Sequence, residues 1–268
     1  MNNVDKYRDH LARFHAESTY LCRPFFDAVQ SAPEAHLERS CKIGSAGISP
    51  LRMNLWYRND GSTEPESAIK TLVERYVNIA DIDLSLYNYL LGSSFRYDKV
   101  HYNIVGIDIR PEPQASRLKL WHIVVDYPEI EEAMLTCDGI PQQASWLNVH
   151  GGLLFGFDFG FGGTSALKVY PLMHDYEMQE HRQLLHEVFG ERMVALTDHC
   201  CRVSFGYSTG NSGVTAHMIP YDAAAFVSTS GSQPLADAYA TCGASSVIVA
   251  MDTAEISAAD CRNFNLYY

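Results

Sequence analysis

The sequence predicts an α+β fold, a barrel of ten antiparallel strands in five helix-helix-strand-strand units with the helices outside. Three observations carry that reading. Strand-like runs come in pairs joined by turn-forming residues, the pattern of antiparallel hairpins. Between the pairs lie segments with apolar residues at helical spacing. The alternation recurs about every fifty residues along the chain, as a repeated supersecondary unit does. An apolar content of 47% with 12% aromatics supplies a sizeable core for one domain over residues 1–268. Periodicity alone also fits an open α+β sheet with helices on one face.

From the N-terminus, Val4 to Ser18 carries Tyr7, Leu11 and Phe14 on one helical stripe, and Pro24 opens a second helix at a position where the missing N–H costs nothing. Strands follow over Leu37 to Ile43 and Leu51 to Arg58, around the turn from Gly44 to Pro50. The second unit has an amphipathic helix from Glu64 to Ala80. Asp83 then caps Leu84 to Leu91, which stops at Gly92. Its strands are Val100 to Arg110 and Arg117 to Asp126. Pro128 starts the third unit's first helix, Gln142 to Asn148 is a weaker second, and Leu153 to Phe161 pairs with Ser165 to Tyr170 around Gly162-Gly163. Helices over Asp175 to Phe189 and Glu191 to Leu196 precede the strands Cys201 to Ser208 and Val214 to Ile219. Asp222 to Val227 and Pro234 to Thr241 read as helical, and Ser245 to Met251 and Asn263 to Tyr268 as extended.

No run of 18 or more apolar residues occurs, so no membrane-spanning helix is expected. The polar, helical N-terminus is unlike a signal peptide and gives the expectation of a cytoplasmic protein. Seven cysteines without CxxC spacing read as reduced core residues. A net charge of −12 disfavours nucleic acid and anionic membranes as partners, so any anionic ligand needs a local concentration of cations. A monomer is expected.

In a barrel every second strand residue faces the lumen. That places Arg52 with Asn54 and Trp56, Lys119 with Trp121 and Ile123, Lys168 with Tyr170, and Arg202 with Ser204. A solvated rim explains any one of these cations. Four on matching faces of apolar strands suit a diphosphate, which Arg and Lys bind by charge-assisted hydrogen bonds. Trp56, Trp121 and Tyr170 would form an aromatic wall that shields a carbocation, although each is also ordinary core material. Glu38, in the first strand, is placed to take an acceptor proton, with a solvated edge as the alternative.

Other chemistry finds little footing. The sequence has no P-loop or GxGxxG, and Gly151-Gly152 and Gly162-Gly163 lack the accompanying residues. It has no DDxxD, and Asp81 and Asp83 sit at a helix start where capping accounts for them. It also lacks GxSxG, and His199 beside Cys200 and Cys201 is only a sequence neighbour. The eleven histidines show no HExxH-type spacing, and no residue is assigned to a metal.

Several stretches taken in order resemble the cyanobactin peptide prenyltransferases, members of the ABBA or PT-barrel class. They are His36-Leu-Glu-Arg-Ser-Cys-Lys-Ile43, Leu91-Gly-Ser-Ser-Phe95, Gly106-Ile-Asp-Ile-Arg110, Leu118-Lys-Leu-Trp-His-Ile-Val-Val-Asp-Tyr-Pro-Glu129, Asp138-Gly139, Gly156-Phe-Asp-Phe-Gly-Phe-Gly-Gly163, Leu167-Lys-Val-Tyr-Pro171 and Asn265-Leu-Tyr-Tyr268. The Asp-Tyr-Pro-Glu and Gly-Phe-Asp-Phe blocks are moderately specific, and the Lys-x-Tyr-Pro strand is shared with the wider class.

The resemblance implies a ten-stranded barrel holding a prenyl diphosphate, and electrophilic alkylation of a peptide side chain after the donor ionises. It implies magnesium (Mg2+) assisting diphosphate departure, Glu38 as general base, and Arg52, Lys119 and Lys168 as diphosphate ligands beside Tyr170. Trp56 falls where the family sets prenyl length, and its bulk points to dimethylallyl diphosphate. Arg202, His217 and Tyr267 complete the binding set, His217 near the place of a shielding tyrosine. Trp121 and Ile123 stand where relatives have polar residues, and Asn265 where an arginine occurs, which leaves the acceptor open among Tyr, Trp, His and Arg. The acidic charge leans toward Arg. The competing expectations are a small-molecule aromatic prenyltransferase on the same barrel, and a non-catalytic barrel holding an apolar ligand.

Overall fold

A computed structural model describes residues 1–45, 47–59, 61, 64–92, 95–150 and 152–268. Positions 46, 93, 94 and 151 belong to the expected turn at 44–50, the 91–95 stretch and the Gly151-Gly152 pair, and they lie outside the described residues.

The first unit comprises α1 (Asn3–Arg13), α2 (Arg23–Ser31), β1 (His36–Gly44) and β2 (Gly47–Arg58). The Asn2 side chain accepts the Asp5 N–H and caps α1, and proline stands in the first turn of α2. Helix α1 ends at Arg13, not at Ser18 as the stripe suggests, because the chain leaves helical geometry and His15 takes φ +49°. The second unit is α3 (Glu64–Val77), α4 (Ser85–Leu91), β3 (Val100–Asp108) and β4 (Arg117–Val125). The third is α5 (Pro128–Leu135), α6 (Gln143–Trp146), β5 (Gly152–Gly160) and β6 (Thr164–Tyr170), continued by β7 (Leu172–His174). Pro171, which has no N–H to give a ladder, divides β6 from β7.

The fourth unit has three helices, α7 (Asp175–Glu180), α8 (Arg182–Phe189) and α9 (Glu191–Thr197), before β8 (Cys200–Ser208) and β9 (Asn211–Pro220). The single helix expected over Asp175 to Phe189 is broken at His181, where φ −103° and ψ 21° end α7. The last unit is α10 (Ala223–Ser230), α11 (Gln233–Cys242), β10 (Ile248–Asp252), α12 (Thr253–Ala258) and β11 (Phe264–Tyr267). Helix α12 went unread in the sequence because six residues with one large apolar side chain, Ile256, carry no stripe. Its start is marked only by the Asp252 side chain accepting from Ala254 N–H.

The strands form one antiparallel sheet in the order β6-β5-β4-β3-β2-β1-β11-β10-β9-β8-β7. Pairing of Lys168 with Ser208 and Val169 with Tyr207 joins β6 to β8 and closes the barrel. With β6 and β7 counted as one bent strand, this is the ten-stranded closed barrel that the alternation predicts, and the open-sheet alternative falls away.

Two apolar regions result from the strand alternation. On β5, Phe155, Phe157 and Phe159 face outward and are fully buried under the helices, part of one large core that includes Phe25, Tyr76 and Phe205. Burying each such ring contributes roughly 1.5–3 kcal/mol. The intervening Leu154, Gly156 and Asp158 face the lumen. There a small separate cluster of Ile104, Trp121 and Tyr170 gathers Trp56, Tyr102, Ile123 and Leu154. The chain end is tied in at His10 on α1. It is fully buried, its Nδ1 is 2.6 Å from Tyr268 Oη, and its Nε2 is 2.5 Å from the Pro50 carbonyl. A carbonyl can only accept, so Nε2 carries the proton and Tyr268 donates to Nδ1.

Candidate active site

A cavity of about 540 Å³ runs through the lumen, bounded by Glu38, Trp56, Trp121, Tyr170, His217 and Tyr267 among others. Register explains the grouping. Glu38 pairs with Asn54 and Asn54 with Gly106, Trp56 pairs with Ile104 and Ile104 with Trp121, and Trp121 pairs with Gly156. Two glycines make room for their neighbours. A Cβ on Gly156 would meet Trp121 Cδ1 at 2.0 Å, so the indole lies flat across that strand. A Cβ on Gly106 would meet Asn54 Oδ1 at 2.1 Å, and Asn54 is the residue that holds Glu38.

Asn54 Nδ2 donates to Glu38 Oε2 at 2.5 Å. Burial raises the Glu38 pKa above the usual glutamate value, and Asn54, the Trp56 indole, Lys119 and Arg52 only partly offset it. A carboxylate of raised basicity against an apolar cavity is suited to accepting a proton.

Below the aromatic layer lies a buried ionic cradle. Arg52 Nε is 3.2 Å from Asp108 Oδ2, Lys119 Nζ is 3.7 Å from the same oxygen, and Arg110 Nε is 2.8 Å from Asp108 Oδ1. Lys168 Nζ lies 2.7 Å from Asp158 Oδ2, which Arg117 reaches at 3.2 Å. Arg52 also donates to Asn265. Burial alone would raise both aspartates, but their neighbours, chiefly Arg52 for Asp108 and Lys168 for Asp158, hold them below the ordinary value. Burial tends to lower Lys168, and Asp158 reverses the sign so that it is raised. Lys119 goes the other way. Burial and the neighbouring Arg52 bring it down to about 7, although Asp108 and Asp158 pull upward. Five cations thus face two carboxylates in a chain of net charge −12, a local excess that suits a polyanion.

The aromatic layer is neutral. Tyr170 meets His217 edge-on at 5.3 Å, and His217 lies 6.0 Å from Tyr267. Burial, then the Lys168 charge, brings His217 down to about 4, so the imidazole is uncharged near neutral pH. Lys119 Nζ stands 5.6 Å from the Trp121 ring centre and Trp56 packs edge-on to Tyr102 at 6.0 Å.

Of the ten site residues read from the sequence, nine fall within this arrangement. Arg52, Lys119 and Lys168 are in the cradle; Glu38, Trp56, Trp121, Tyr170, His217 and Tyr267 bound the cavity above it. Arg202 stands apart and corrects the expectation of four converging cations. It borders the cavity, but its register partner is His174, whereas Lys168 pairs with Ser208, six residues or about 20 Å farther along β8. Sequence reasoning missed Asp108, Asp158 and the Asn54–Glu38 bond. The signal was there, since Asp108 shares lumen parity with Gly106, and Asp158 with Gly156. Oxygen donors for magnesium exist in the cradle. Asp158 Oδ1 is buried without a hydrogen-bond partner, and one or two carboxylates together with substrate phosphates is how that ion is usually held. Among the described residues, no helix is long and apolar enough to cross a membrane.

Known proteins share this architecture. The structure entitled 6-dimethylallyl tryptophan synthase superposes with a TM-score of 0.61 at 13% identity, covering 100% of this chain and 96% of that one. NotF in complex with brevianamide F and DMSPP gives 0.56 at 13% identity over 100% and 95%. The 5-dimethylallyltryptophan synthase from Streptomyces coelicolor gives 0.53 at 13% over 86% and 80%. At such identity the likeness establishes the fold, the PT barrel. A search of curated proteins finds no match. A sequence profile described as "Family of unknown function (DUF5838)" matches residues 2–268, and the chain belongs to that family.

Proposed function

We propose that the chain is a prenyltransferase that moves a dimethylallyl group from dimethylallyl diphosphate to a side chain (Arg guanidine, Tyr or Trp) of a ribosomally made, cyclic, cyanobactin-type peptide. The observation that carries this is the meeting of three functional elements in one lumen: the cation-rich cradle, the neutral aromatic cavity, and Glu38 held by Asn54 at the cavity wall. NotF, bound to DMSPP and brevianamide F, and the two dimethylallyltryptophan synthases support prenyl transfer on this fold. The ordered resemblance to the peptide enzymes supports the peptide acceptor.

The donor's diphosphate sits among Arg52, Lys119 and Lys168, displacing part of their pairing with Asp108 and Asp158. Its C–O bond breaks and the electron pair leaves with the diphosphate, whose added charge those cations stabilise. Trp56, Trp121, Tyr170 and Tyr267 face the allylic cation and keep water from it. The acceptor's lone pair or ring carbon closes the new bond, and Glu38 removes the proton that this step releases. Asp158, with Asp108, would hold a magnesium ion carried in with the donor, and that ion would supply further charge neutralisation to the leaving group.

The dimethylallyltryptophan synthase neighbours favour a second reading, a small indole acceptor in place of a peptide. Binding of a non-ionising thio-analogue of dimethylallyl diphosphate, measured calorimetrically, tests the donor half for both. Lys119→Ala and Lys168→Ala should each weaken it by at least tenfold. Unchanged affinity in both would instead leave a barrel for an apolar ligand.

A further inference from the structure

At the Arg202 end of the cavity, three side chains from two stretches of chain come together. His150 immediately precedes the β5 region, His174 ends β7, and Glu177 lies in the first turn of α7. Their ligand atoms all lie within 4.8 Å of one another. His150 Nδ1 is 3.1 Å from Glu177 Oε1, and the two imidazole rings are 4.5 Å apart. Glu177 is buried, His174 half-buried and His150 exposed at the cavity rim. None of the three takes part in the reaction proposed above.

We infer that His150, His174 and Glu177 form a binding site for a divalent transition-metal ion of the zinc class at the barrel mouth. The donor set is two imidazoles and one carboxylate, the nitrogen-oxygen combination zinc accepts with three protein ligands and one open position. A tetrahedral zinc with ligands at about 2.0–2.1 Å keeps them about 3.3 Å apart, which the His150–Glu177 pair already matches. The supporting contacts are those that usually orient metal ligands. The His174 backbone N–H donates to Glu177 Oε2 at 2.7 Å, which leaves Oε1 for the ion, and Tyr176 stacks on the His174 ring at 5.9 Å with a 6° interplanar angle. Without metal, the His150 Nδ1–H donates to Glu177. With metal, the imidazole shifts to its other neutral tautomer and presents the Nδ1 lone pair.

Such an ion would tie the start of β5 to the end of β7 and the head of α7. These segments flank the seam where Pro171 interrupts the strand and β6 hands over to β8. His150 borders the same cavity as Arg202, which pairs in register with His174. In sequence the ligands lie 24 residues apart (150 to 174) with Glu177 three further on, a spacing no short motif describes.

The test uses the full chain, stripped with a chelator and titrated with Zn2+. Stoichiometry comes from equilibrium dialysis with metal analysis, and Co2+ absorption reports geometry. One ion per chain is expected, with a tetrahedral Co2+ spectrum and a raised melting temperature. His150→Ala and His174→Ala should each weaken binding by more than about 100-fold, beyond what loss of an outer-shell partner costs. His150 is exposed, so its variant folds whether or not the ion matters. Absence of stoichiometric binding in the unaltered protein, or undiminished binding in either variant, overturns the site.

Discussion

Asn54 Nδ2 lies 2.5 Å from Glu38 Oε2, and Gly106 leaves the space that lets Asn54 reach it. The bond fixes one oxygen of a carboxylate that lines the cavity. Glu38→Gln keeps the shape and removes the basicity. Transfer should fall by about 10²–10⁴-fold, the range a positioned acid-base group supplies, while donor affinity stays within a few-fold. Single-turnover rates beside donor titrations separate the two. Normal turnover in the variant would take Glu38 out of the mechanism.

Gly106→Ala tests the same relationship from behind. The new methyl would collide with Asn54 Oδ1 and lie 2.9 Å from the Met53 carbonyl, so Asn54 must swing off Glu38. Transfer should drop about ten- to a hundredfold with little change in donor binding. A variant as active as the parent would mean that Asn54 does not position the base.

Lys119 links donor binding to pH. Burial and Arg52 hold it near 7 in the free protein, and a diphosphate beside it would push it up. Protonation then accompanies binding. Donor affinity should be highest below pH 7 and weaken as pH rises above it, toward the raised pKa of the bound state. Calorimetry at pH 8 in buffers of different ionisation enthalpy should show net proton uptake, absent in Lys119→Met. No uptake in the parent protein would contradict the coupling.

Trp56 sets the depth available to the prenyl chain if its indole, packed on Tyr102, forms part of the cavity floor. Trp56→Gly should let geranyl diphosphate compete with the five-carbon donor. A donor preference that survives the change would place the floor elsewhere.

Acid should loosen the chain end. Burial brings His10 down to about 4, against an ordinary value near 6.5, so the unfolded chain binds more protons between those limits. Its contribution to stability is complete above about pH 6.5. It declines by up to about 1.4 kcal/mol per pH unit as pH falls toward 4, where the site protonates and the decline ends. Urea unfolding at pH 7 and pH 4.5 should show a flatter dependence in His10→Gln. Parallel pH profiles would count against it.

Much of this was legible beforehand because hairpin alternation is a strong, local signal. Lumen parity followed from it, and with it the placement of nine of the ten candidate residues in the cradle or around the cavity. What stayed hidden depended on register and closure. Asp108 and Asp158 acquire meaning only when β2, β3, β4, β5 and β6 align. Arg202 shows the limit of parity: facing the lumen fixes a direction but not a height along the strand. The His150-His174-Glu177 group is assembled by tertiary contact alone, and α12 by a single capping bond.

The most direct test of the central claim is a transfer assay read by mass spectrometry. The protein is incubated with magnesium, dimethylallyl or geranyl diphosphate, and a panel of cyclic peptides offering Tyr, Trp, His or Arg, with free tryptophan as the small-molecule control. A gain of one five-carbon unit, localised to a single residue type in a peptide, is the expected result. Prenylation of free tryptophan alone, or no transfer to any acceptor despite donor binding, would contradict the peptide assignment.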